Sequence, residues 1–494
     1  MIDTKALRSR ILDLAIQGKL TEQLPSDGTA EELYQQIQAE KQALIKEGKI
    51  KKEKPLPEIS ADEIPFEIPS NWKWVQLGEL GEGINNAFAD GPFGSNLKRE
   101  HYTFEKQVRI IQLSNIGDEG WRNENEKYTT FEHLKTIERS EVFAGNIVIA
   151  KMMPAGRAII VPDTGTKYVL SSDCIKFVPN HTLYAKYICY AINSDSFRKQ
   201  VSGNIHGIGR ERTSLSLIKK YVLPVPPLAE QKRIVERVEE IFRLLDTIDK
   251  AQEKYSADSQ ILKAKLITAG IQGKLTKQLE SDGTAHELYQ QIQAEKQKLI
   301  KEGKLKKEKP LPPISPDEIP FEIPQNWMWV RINDIFAVGT GSTPSKNEKK
   351  YYNGGDIPWV NSALTVNRYI EKVNTYITEY ALNSLNLKLY AEHTLIITMY
   401  GEGKTRGQIS ELHIPATTNQ ACSALSSIIY HQETINYVFY FFQNYYDSLR
   451  ALAHGGNQPN LNLQKIKDVL IPLPPLAEQK RIADVLERAL GVFE

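Results

Sequence analysis

Residues 16–57 read IQGKLTEQLPSDGTAEELYQQIQAEKQALIKEGKIKKEKPLP, and residues 271–312 repeat this stretch almost unchanged. The similarity continues, more loosely, through DEIPFEIPSNWKWV (62–75) and DEIPFEIPQNWMWV (317–330). The two long copies differ at five pairs of positions: Glu22/Lys277, Pro25/Glu280, Glu31/His286, Ala43/Lys298 and Ile50/Leu305. A period near 250 residues is far longer than the roughly 20–50 residues of a solenoid repeat. The chain therefore consists of two homologous halves.

A second repeated unit follows each of these copies. It reads PPLAEQKRIVERV at 226–238 and PPLAEQKRIADVL at 474–486. The segments between the repeated units, about 76–222 and 331–470, show no evident similarity to each other. A simple tandem duplication would leave these inserts as alike as the repeated units around them, which we call the frames. The pattern therefore indicates two inserts that do different things on equivalent mounts.

The frame is predicted to be helical. From Leu228 to Ala269 there is neither Gly nor Pro, and apolar residues recur mostly at three- and four-residue steps, which indicates a helix buried along one side. The sequence of its polar middle, 251–260, is compatible with a kink or a loop there. The chain ends, 476–494 and 6–20, match the first and second halves of this helix. We expect two long antiparallel, coiled-coil-like helical arms with a pseudo-twofold repeat and one insert at each end.

A shorter helix is predicted at about 29–47, with a copy at 284–302. Ser26-Asp27-Gly28 is the expected cap and turn before it, and we expect its lysines to coat a solvated face.

Each insert combines short β-type runs with helices, which predicts an α+β class. Each opens on a Trp-x-Trp strand (Trp72/Trp74 and Trp327/Trp329), and we expect these tryptophans to anchor a core. Further strands are predicted at 108–118, 146–152, 158–163, 356–365, 394–400 and 423–430. Helices are predicted at 186–194 and 435–449.

Composition restricts the class of protein. Apolar residues make up 41% and charged residues 25% of the 494 residues, and the net charge is +1, which excludes a uniformly basic nucleic-acid coat. The three cysteines show no C-x-x-C spacing, which fits a reducing compartment. The N-terminal stretch has no export-signal pattern and no apolar run approaches ~18 residues. We therefore expect a cytoplasmic protein without a membrane partner.

Loops rich in Gly, Ser, Asn, Gln, Lys and Arg interrupt the predicted strands of both inserts. Such loops can place cations against phosphates and amide side chains against base edges. Residues 71–222 hold 20 Lys+Arg and 16 Asp+Glu, whereas 326–470 hold 12 and 11. The loops are 91–100, 202–214, 339–355, 401–407 and 455–464.

Catalytic signatures are absent from the sequence. Residues 401–405 (GEGKT) resemble the end of a P-loop, but Thr398 stands where its first glycine belongs, and Pro344 breaks a dinucleotide fingerprint at 339–341. The nine histidines show no H-x-x-x-H spacing, so no metal site is expected. No Asn/Asp-Pro-Pro-aromatic motif for methyl transfer occurs. We expect a non-catalytic chain without a cofactor of its own.

The paired PPLAEQKRI motifs, the Trp-x-Trp openings, the IQGKL segments and the pseudo-circular layout resemble the specificity (S) subunit of type I DNA restriction–modification enzymes. The resemblance covers essentially the whole chain. It implies two target recognition domains that each read one half of a split double-stranded DNA target, with the helical arms setting the distance between them. It also implies two modification subunits docked on the helices, and restriction subunits. Those partners would carry S-adenosylmethionine, ATP and Mg chemistry.

The resemblance places domain boundaries on this chain. The segments are an N-terminal helical segment (1–60), target recognition domain 1 (61–225), the central long helix with the second helical repeat (226–315), target recognition domain 2 (316–473) and a C-terminal helix (474–494).

A DNA-recognition role predicts candidate DNA contacts in both inserts. Phosphate contacts are expected from Lys98, Arg99, Arg210, Arg212, Lys346, Lys349, Lys404 and Arg406. Base contacts are expected from Gln112, Ser114 and Asn115 in the first domain and from Asn361, Asn419, Gln420, Asn457 and Gln458 in the second. A hydrogen bond within the fold is at least as good an explanation for each single residue.

Two other classes of protein remain open at this point. One is a helical scaffold that presents two protein-binding domains without reading DNA, which the net charge of +1 permits. The other is a stand-alone nuclease or methyltransferase, which the missing motifs disfavour.

Overall fold

The computed structural model describes residues 1–152, 155–203, 212–309, 311–401, 404–452 and 461–493. These residues form two compact units, Met1–Glu253 and Lys254–Glu494. Helix α7 (Leu228–Ile271) contributes its first part to one unit and its last part to the other. The polar stretch 251–260 is therefore helical, and the loop left open there does not occur. No helix within the described ranges is both long and apolar enough to cross a membrane.

The first unit contains these helices and strands besides α7. Its helices are α1 (Thr4–Ile16), α2 (Ala30–Lys46), α3 (Phe131–Thr136), α4 (Ala185–Asn193), α5 (Asp195–Ser202) and α6 (Leu215–Ile218). Its strands are β1 (Lys73–Gln76), β2 (Phe88–Asp90), β3 (Tyr102–Thr103), β4 (Val108–Ile111), β5 (Ile116–Gly117), β6 (Gly120–Trp121), β7 (Tyr128–Thr129), β8 (Glu141–Val142), β9 (Ile147–Ala150), β10 (Ala158–Ile160), β11 (Lys167–Leu170), β12 (Cys174–Phe177) and β13 (Val222–Val225).

The second unit follows the same plan. Its helices are α8 (Ala285–Lys301), α9 (Ile332–Ile335), α10 (Glu379–Ser384), α11 (Gln432–Asn444), α12 (Tyr446–Leu452), α13 (Leu463–Lys467) and α14 (Leu476–Gly491). Its strands are β14 (Met328–Arg331), β15 (Phe336–Thr340), β16 (Ile357–Val360), β17 (Tyr369–Ile370), β18 (Tyr376–Ile377), β19 (Leu395–Thr398), β20 (Ile409–Leu412), β21 (Thr417–Thr418), β22 (Cys422–Ser427) and β23 (Leu470–Leu473).

Within the first unit, α1 lies antiparallel to the first part of α7. The Thr4 hydroxyl donates to Asp249 at 2.5 Å, and Arg8 donates to Asp246 at 2.6 Å. Partner numbers fall along α7 as residue numbers rise along α1, which is the expected antiparallel arrangement. In the second unit, the last part of α7 lies antiparallel to α14 in the same way, with Lys263 over the Phe493 ring and Gly270 beside Ile482 and Leu486.

The PPLAEQKRI motif locks the frame around a buried glutamate. Glu230 is fully buried, and its carboxylate accepts the indole N–H of Trp72 at 2.8 Å and the amide of Gln23 at 2.9 Å. Arg233, one turn later, forms an ion pair with Asp27 at 2.6 Å. These bonds join the motif to residues of the repeated segment that precedes the insert.

The second copy of the motif makes the same contacts. Glu478 is fully buried and accepts from Trp327 and Gln278, both at 2.8 Å. Arg481 pairs with Asp282 at 2.5 Å. Each of these polar groups therefore has the same partner in both copies of the motif.

The first tryptophan of each Trp-x-Trp pair is the more deeply buried one. Trp72 and Trp327 are each 6% exposed, as predicted. Trp74 and Trp329 are half-buried and pack edge-to-face against Phe66 and Phe321, with ring centroids 4.9 Å apart in both units.

Two expectations about the short helix are corrected. Thr29, and not Ser26-Asp27-Gly28, caps α2, because its hydroxyl accepts from the Glu32 N–H while the Glu32 carboxylate bonds back to the Thr29 N–H. Lys41 does not coat a solvated face: it is largely buried and donates to the Glu79 carbonyl at 2.7 Å. Burial lowers the pKa of Lys41 to about 8. The α2 helix therefore packs on the insert as well as on the frame.

The inserts are built from small sheets, of which β10-β9-β12-β2 is antiparallel and the other three are mixed. The first insert has a four-stranded sheet, β10-β9-β12-β2, and a five-stranded sheet, β3-β7-β4-β11-β8. The second has a five-stranded sheet, β15-β22-β19-β20-β17, and a three-stranded sheet, β18-β16-β21. Each insert leaves the frame through β1 or β14 and returns through an antiparallel partner, β13 or β23. The α+β class with two repeated parts and a long helix is confirmed, whereas the five predicted segment boundaries stay a prediction.

Candidate nucleic-acid interface

Several strand ends meet at one edge of the first insert. Strands β2, β4, β9 and β11 end there and β12 begins there, because β11 runs parallel to β4 while β2 and β9 run antiparallel to β12. Backbone bonds tie the following loops together: Ser171 N–H donates to Ile111 O at 2.9 Å, and Lys151 N–H donates to Asp173 O at 2.9 Å. We call the residues at this edge the first loop rim: 90–93, 112–115, 151–152, 171–173 and 212.

The second insert has the same construction although its sequence differs. Strands β15, β16, β19 and β21 end where β22 begins. Asn419 N–H donates to Val360 O at 2.9 Å, and Met399 N–H donates to Ala421 O at 2.7 Å. These bonds match those of Ser171 and Lys151 in the first rim. The second loop rim consists of 340–344, 361–366, 399–401, 404–406 and 418–421.

A glycine closes each rim against a neighbouring loop. A Cβ atom on Gly91 would lie 1.7 Å from the Ser171 carbonyl oxygen, and a Cβ atom on Gly341 would lie 1.7 Å from the Thr418 carbonyl oxygen. No side chain fits at that distance, so glycine is required at both positions. The two inserts therefore share a backbone device that sequence comparison does not reveal.

Charge dominates the first rim. The Lys151 ammonium lies 2.8 Å from the Asp90 carboxylate, and both side chains are mostly buried. The same ammonium lies 4.7 Å from the ring centroid of Phe93, whose side chain is 54% exposed. Arg212 reaches Asp173 at 2.9 Å while keeping 39% of its side chain exposed. The rim thus presents an aromatic face and an arginine over a buried ion pair.

The second rim is neutral at the matching positions. Strand register places Thr340, Met399 and Ala421 where the first rim has Asp90, Lys151 and Asp173. Its contacts are hydrogen bonds of neutral groups instead: the Thr343 hydroxyl donates to the Gln420 side chain at 2.5 Å, the Thr365 and Thr398 hydroxyls bond to each other at 2.7 Å, and the indole N–H of Trp359 donates to Ser342 O at 3.1 Å. The two rims therefore offer different chemistry on one backbone plan.

Of the base-contact residues predicted in the first domain, two remain available. Gln112 and Ser114 are half-buried at the rim, and the Gln112 amide donates to Asn125 O at 3.0 Å. Asn115 is a correction: it is fully buried, and its amide donates to Arg122 O and Glu124 O. Its side chain holds the loop in shape and does not face outward.

In the second domain, the predicted base-contact residues that the structure describes are half-buried or exposed. Asn361 and Asn419 are half-buried, and each accepts a local backbone N–H, from Ala363 at 2.9 Å and Ala421 at 3.1 Å. Gln420 is exposed at the rim. The structure brings all three together because β16, β21 and β22 meet there.

The predicted phosphate contacts are mostly exposed cations. The exposed ones are Lys98, Arg99, Lys346, Lys349 and Lys404. Arg406 is half-buried, lies 3.4 Å from Gly401 O through its guanidinium, and has its own carbonyl oxygen bonded by Arg450. Arg210, Asn457 and Gln458 lie outside the described residues. Of the predicted phosphate contacts that the structure describes, Arg212, Lys404 and Arg406 belong to a loop rim as defined above, and the others lie further along the same loops.

Sequence reasoning missed Asp90, Phe93 and Lys151. Lys151 follows the buried run Ile147–Ala150 directly, and a charged residue at the end of a buried strand is a usable signal for a site at a sheet edge. Nothing in the local sequence pairs it with Asp90, 61 residues earlier. Their meeting depends on the long-range pairing of β9, β12 and β2.

Cysteine chemistry does not contribute at either rim. Cys174 and Cys422 begin the matching strands β12 and β22, and both are fully buried. Burial raises the pKa of each thiol to about 12. Both therefore stay protonated near neutral pH and serve as core residues.

Comparison with known proteins adds the family. The model of the type I restriction modification DNA specificity domain matches residues 69–255 and 324–491, which is most of the chain. The chain belongs to this family. The two matches each include one insert, one loop rim and the PPLAEQKRI motif that follows, so the family's DNA specificity role is carried by both halves.

Curated relatives agree with this assignment. The specificity subunit of the type I restriction enzyme EcoAI from Escherichia coli is 26% identical over 98% of this chain and 89% of its own length. That of EcoEI, also from Escherichia coli, is 31% identical over 67% of this chain and 62% of its own length.

Solved structures show the same fold. A chain from a type I R-M system complex has a TM-score of 0.62 at 16% identity, over 87% of this chain and 92% of that chain. The HsdS subunit from Thermoanaerobacter tengcongensis has a TM-score of 0.52 at 16% identity, over 87% and 93%. At such identities the likeness concerns the fold alone.

Proposed function

We propose that each loop rim contacts one half of a bipartite double-stranded DNA target, within a type I restriction–modification complex. The observation that carries this proposal is the pair of rims: one backbone plan, repeated within a family of DNA specificity domains, with different side chains at matching positions. Two halves of one target with unrelated sequences require such a difference, because bases are distinguished by the side chains that meet them.

Exposed cations beside the rims suit the remaining contacts. Lys98 and Arg99 follow the first rim, and Lys346 and Lys349 follow the second. Phosphate contacts fix the position of a protein on the duplex without reading sequence. Cations of this kind would serve both halves in the same way, while the rims supply the difference.

The chain itself performs no chemistry in this proposal. Two modification subunits would dock on the helical frame and supply S-adenosylmethionine-dependent methyl transfer, and restriction subunits would supply ATP- and Mg-dependent cleavage. The near-identity of the two frames supports equal docking sites, since identical partners need identical surfaces.

An insert swap tests the proposal. Residues 76–222 are replaced by the corresponding insert of another family member, and methylated positions are mapped in DNA from cells that express the complete system. We expect one half of the methylated motif to change and the other half to stay. A matched swap of residues 331–470 should change the opposite half. A change in both halves after either swap, or in neither, would contradict the assignment of one rim to each half.

A further inference from the structure

Two histidines and a glutamate meet in the second unit, away from the loop rim. Register pairs Leu395 at the beginning of β19 with Glu411 in β20. Just before β19, the His393 N–H donates to Leu412 O while the Leu412 N–H donates to Thr394 O, so two successive residues lie opposite Leu412, as in a β-bulge. The nearest ligand atoms of His393, Glu411 and His413 all lie within 4.8 Å of one another.

The distances suit a small divalent cation. His393 Nδ1 lies 2.8 Å and His413 Nε2 lies 3.6 Å from Glu411 Oε1. Zinc bonds of about 2.0–2.1 Å to nitrogen and about 2.0–2.2 Å to oxygen imply tetrahedral ligand spacings of about 3.3 Å. The observed separations bracket this spacing, so small side-chain movements suffice. Two histidines and one carboxylate are also a ligand set that zinc uses in proteins.

Electrostatics favours a cation at this place. The Glu411 side chain is only 1% exposed, and burying a carboxylate without compensation is costly. Among the residues that the structure describes, the ion-pairing partners of Glu411 are the two histidines, and Gln432 adds one amide bond at 3.3 Å. A divalent cation bound beside Glu411 would balance the charge of this buried carboxylate.

Backbone conformation provides a second, independent observation. His393 has φ +64°, a left-handed conformation that costs a residue with a side chain. The matching position in the first unit is Gly145, with φ +85°. The match is fixed by the backbone, because Gly145 N–H donates to Val161 O and His393 N–H donates to Leu412 O at the same step of the two hairpins. The second unit thus has a histidine in a left-handed conformation, whereas the first unit has at this position Gly145, which adopts that conformation without strain.

The other two members of the cluster also differ between the units. The same register places Ile160 and Pro162 of the first unit where Glu411 and His413 stand in the second. None of the three first-unit residues can bind a metal. Packing of this hairpin therefore does not require the polar triad.

We infer that His393, Glu411 and His413 form a binding site for a zinc-class divalent transition-metal ion. The site joins the turn before β19 to the end of β20 and to the edge strand β17, whose Tyr369 ring lies 4.2 Å from the His413 ring. His393 and His413 are each about one-third exposed, which gives the ion a path from solvent. Bound there, the ion would fix the sheet edge of the second insert.

Zinc titration of the full chain, freed of metal with a chelator, tests this inference. We expect one high-affinity Zn²⁺ by calorimetry, and a visible Co²⁺ absorption that Zn²⁺ displaces. His393→Gly is the sharpest variant, because it installs the first unit's residue: it should weaken Zn²⁺ binding at least tenfold while leaving the metal-free fold intact. His413→Gln should weaken binding similarly. His431→Gln is the control, since that histidine lies nearby in sequence but outside the cluster.

Thermal unfolding gives a second readout. Because a ligand of the folded state raises its stability, Zn²⁺ should raise the Tm of the unaltered chain and of His431→Gln but not of His393→Gly. Equal zinc affinity in His393→Gly and the unaltered chain, or no zinc uptake by the latter, would overturn the inference and leave a histidine–glutamate ion pair. The cluster lies at the beginning of β19 and the second loop rim at its end, so either result leaves the DNA proposal to its own test.

Discussion

The first and second loop rims share their strand ends, their closing glycines and the backbone bonds that join their loops, yet they differ in charge. Lys151 and Asp90 form a mostly buried ion pair in the first rim, whereas Met399 and Thr340 occupy the matching positions in the second. The frames beneath them are, by contrast, alike down to individual hydrogen bonds. The two units therefore share one frame and differ in the surface that it carries.

The largest effect is expected in the frame, where the two units should behave alike. Glu230→Ala and Glu478→Ala each remove a buried carboxylate that accepts an indole N–H and an amide, and leave the indole N–H without its acceptor. We expect each to lower the free energy of unfolding by about 3 kcal/mol or more, because bonds to charged groups are worth about 1.5–3 kcal/mol each. Chemical denaturation measures this, with the exposed Glu236→Ala as control. A large effect at one site only would break the equivalence of the two frames.

In the first rim, the charge difference itself can be removed. Lys151→Met leaves Asp90 without its partner and should lower the free energy of unfolding by about 1–3 kcal/mol. Adding Asp90→Thr makes the pair match the second rim and should recover part of that loss, with a coupling of about 0.5–3 kcal/mol. Denaturation of the two single variants and the double variant completes the cycle. Strictly additive losses would mean that the ion pair does not stabilise this rim.

DNA binding in the second rim is tested by Arg406→Gln. If Arg406 contacts a guanine, specific binding should weaken by ~1–3 kcal/mol and selectivity should relax in one half of the motif only. If it contacts a phosphate, binding should weaken across all sequences and the salt slope should fall by about one. Selection from random DNA libraries with the assembled complex, at several salt concentrations, separates the two. Unchanged selectivity with an unchanged salt slope would remove Arg406 from the interface.

The smallest effect concerns pH and Lys41. Its pKa in the folded chain is lowered from 10.5 to about 8 by burial, so between these values the unfolded chain binds more protons than the folded chain. Stability must therefore rise with pH across that window, and Lys41→Met should remove this part of the rise. Denaturation at pH 7, 8.5 and 10 measures the difference between the two proteins. Burial also lowers the pKa of Lys296. Lys296→Met should therefore also reduce the rise of stability with pH.

Much of the frame could be predicted from sequence because its signals are local or repeated. The absence of Gly and Pro from Leu228 to Ala269 predicts the end of α7 to within two residues of the observed end, Ile271. The polar stretch 251–260 is the part where the sequence suggested a break and the helix continues. The strong apolar runs predict β9, β19 and α4. The two-residue strands, such as β3 and β7, were missed because they are too short to show a period of two.

The site was predicted only in part, because its geometry depends on long-range pairing. The loops were identified by composition, but Asn115 turned out to be an internal hydrogen-bond donor, and Lys151 was hidden inside a predicted strand. The expectation of no metal site rested on H-x-x-x-H spacing, which describes one helix face. A hairpin can bring His393 to Glu411 across 18 residues, and no local spacing rule reveals this.

Each insert begins at β1 or β14 and ends at the strand hydrogen-bonded to it, so that Lys73 faces Val225 and Met328 faces Leu473. The two ends of each insert are thus neighbours, held side by side by the hydrogen bonds of an antiparallel strand pair. Whatever length of chain lies between them, the junction stays the same. Exchange of the whole intervening block at these paired strands would therefore leave the frame on either side unchanged.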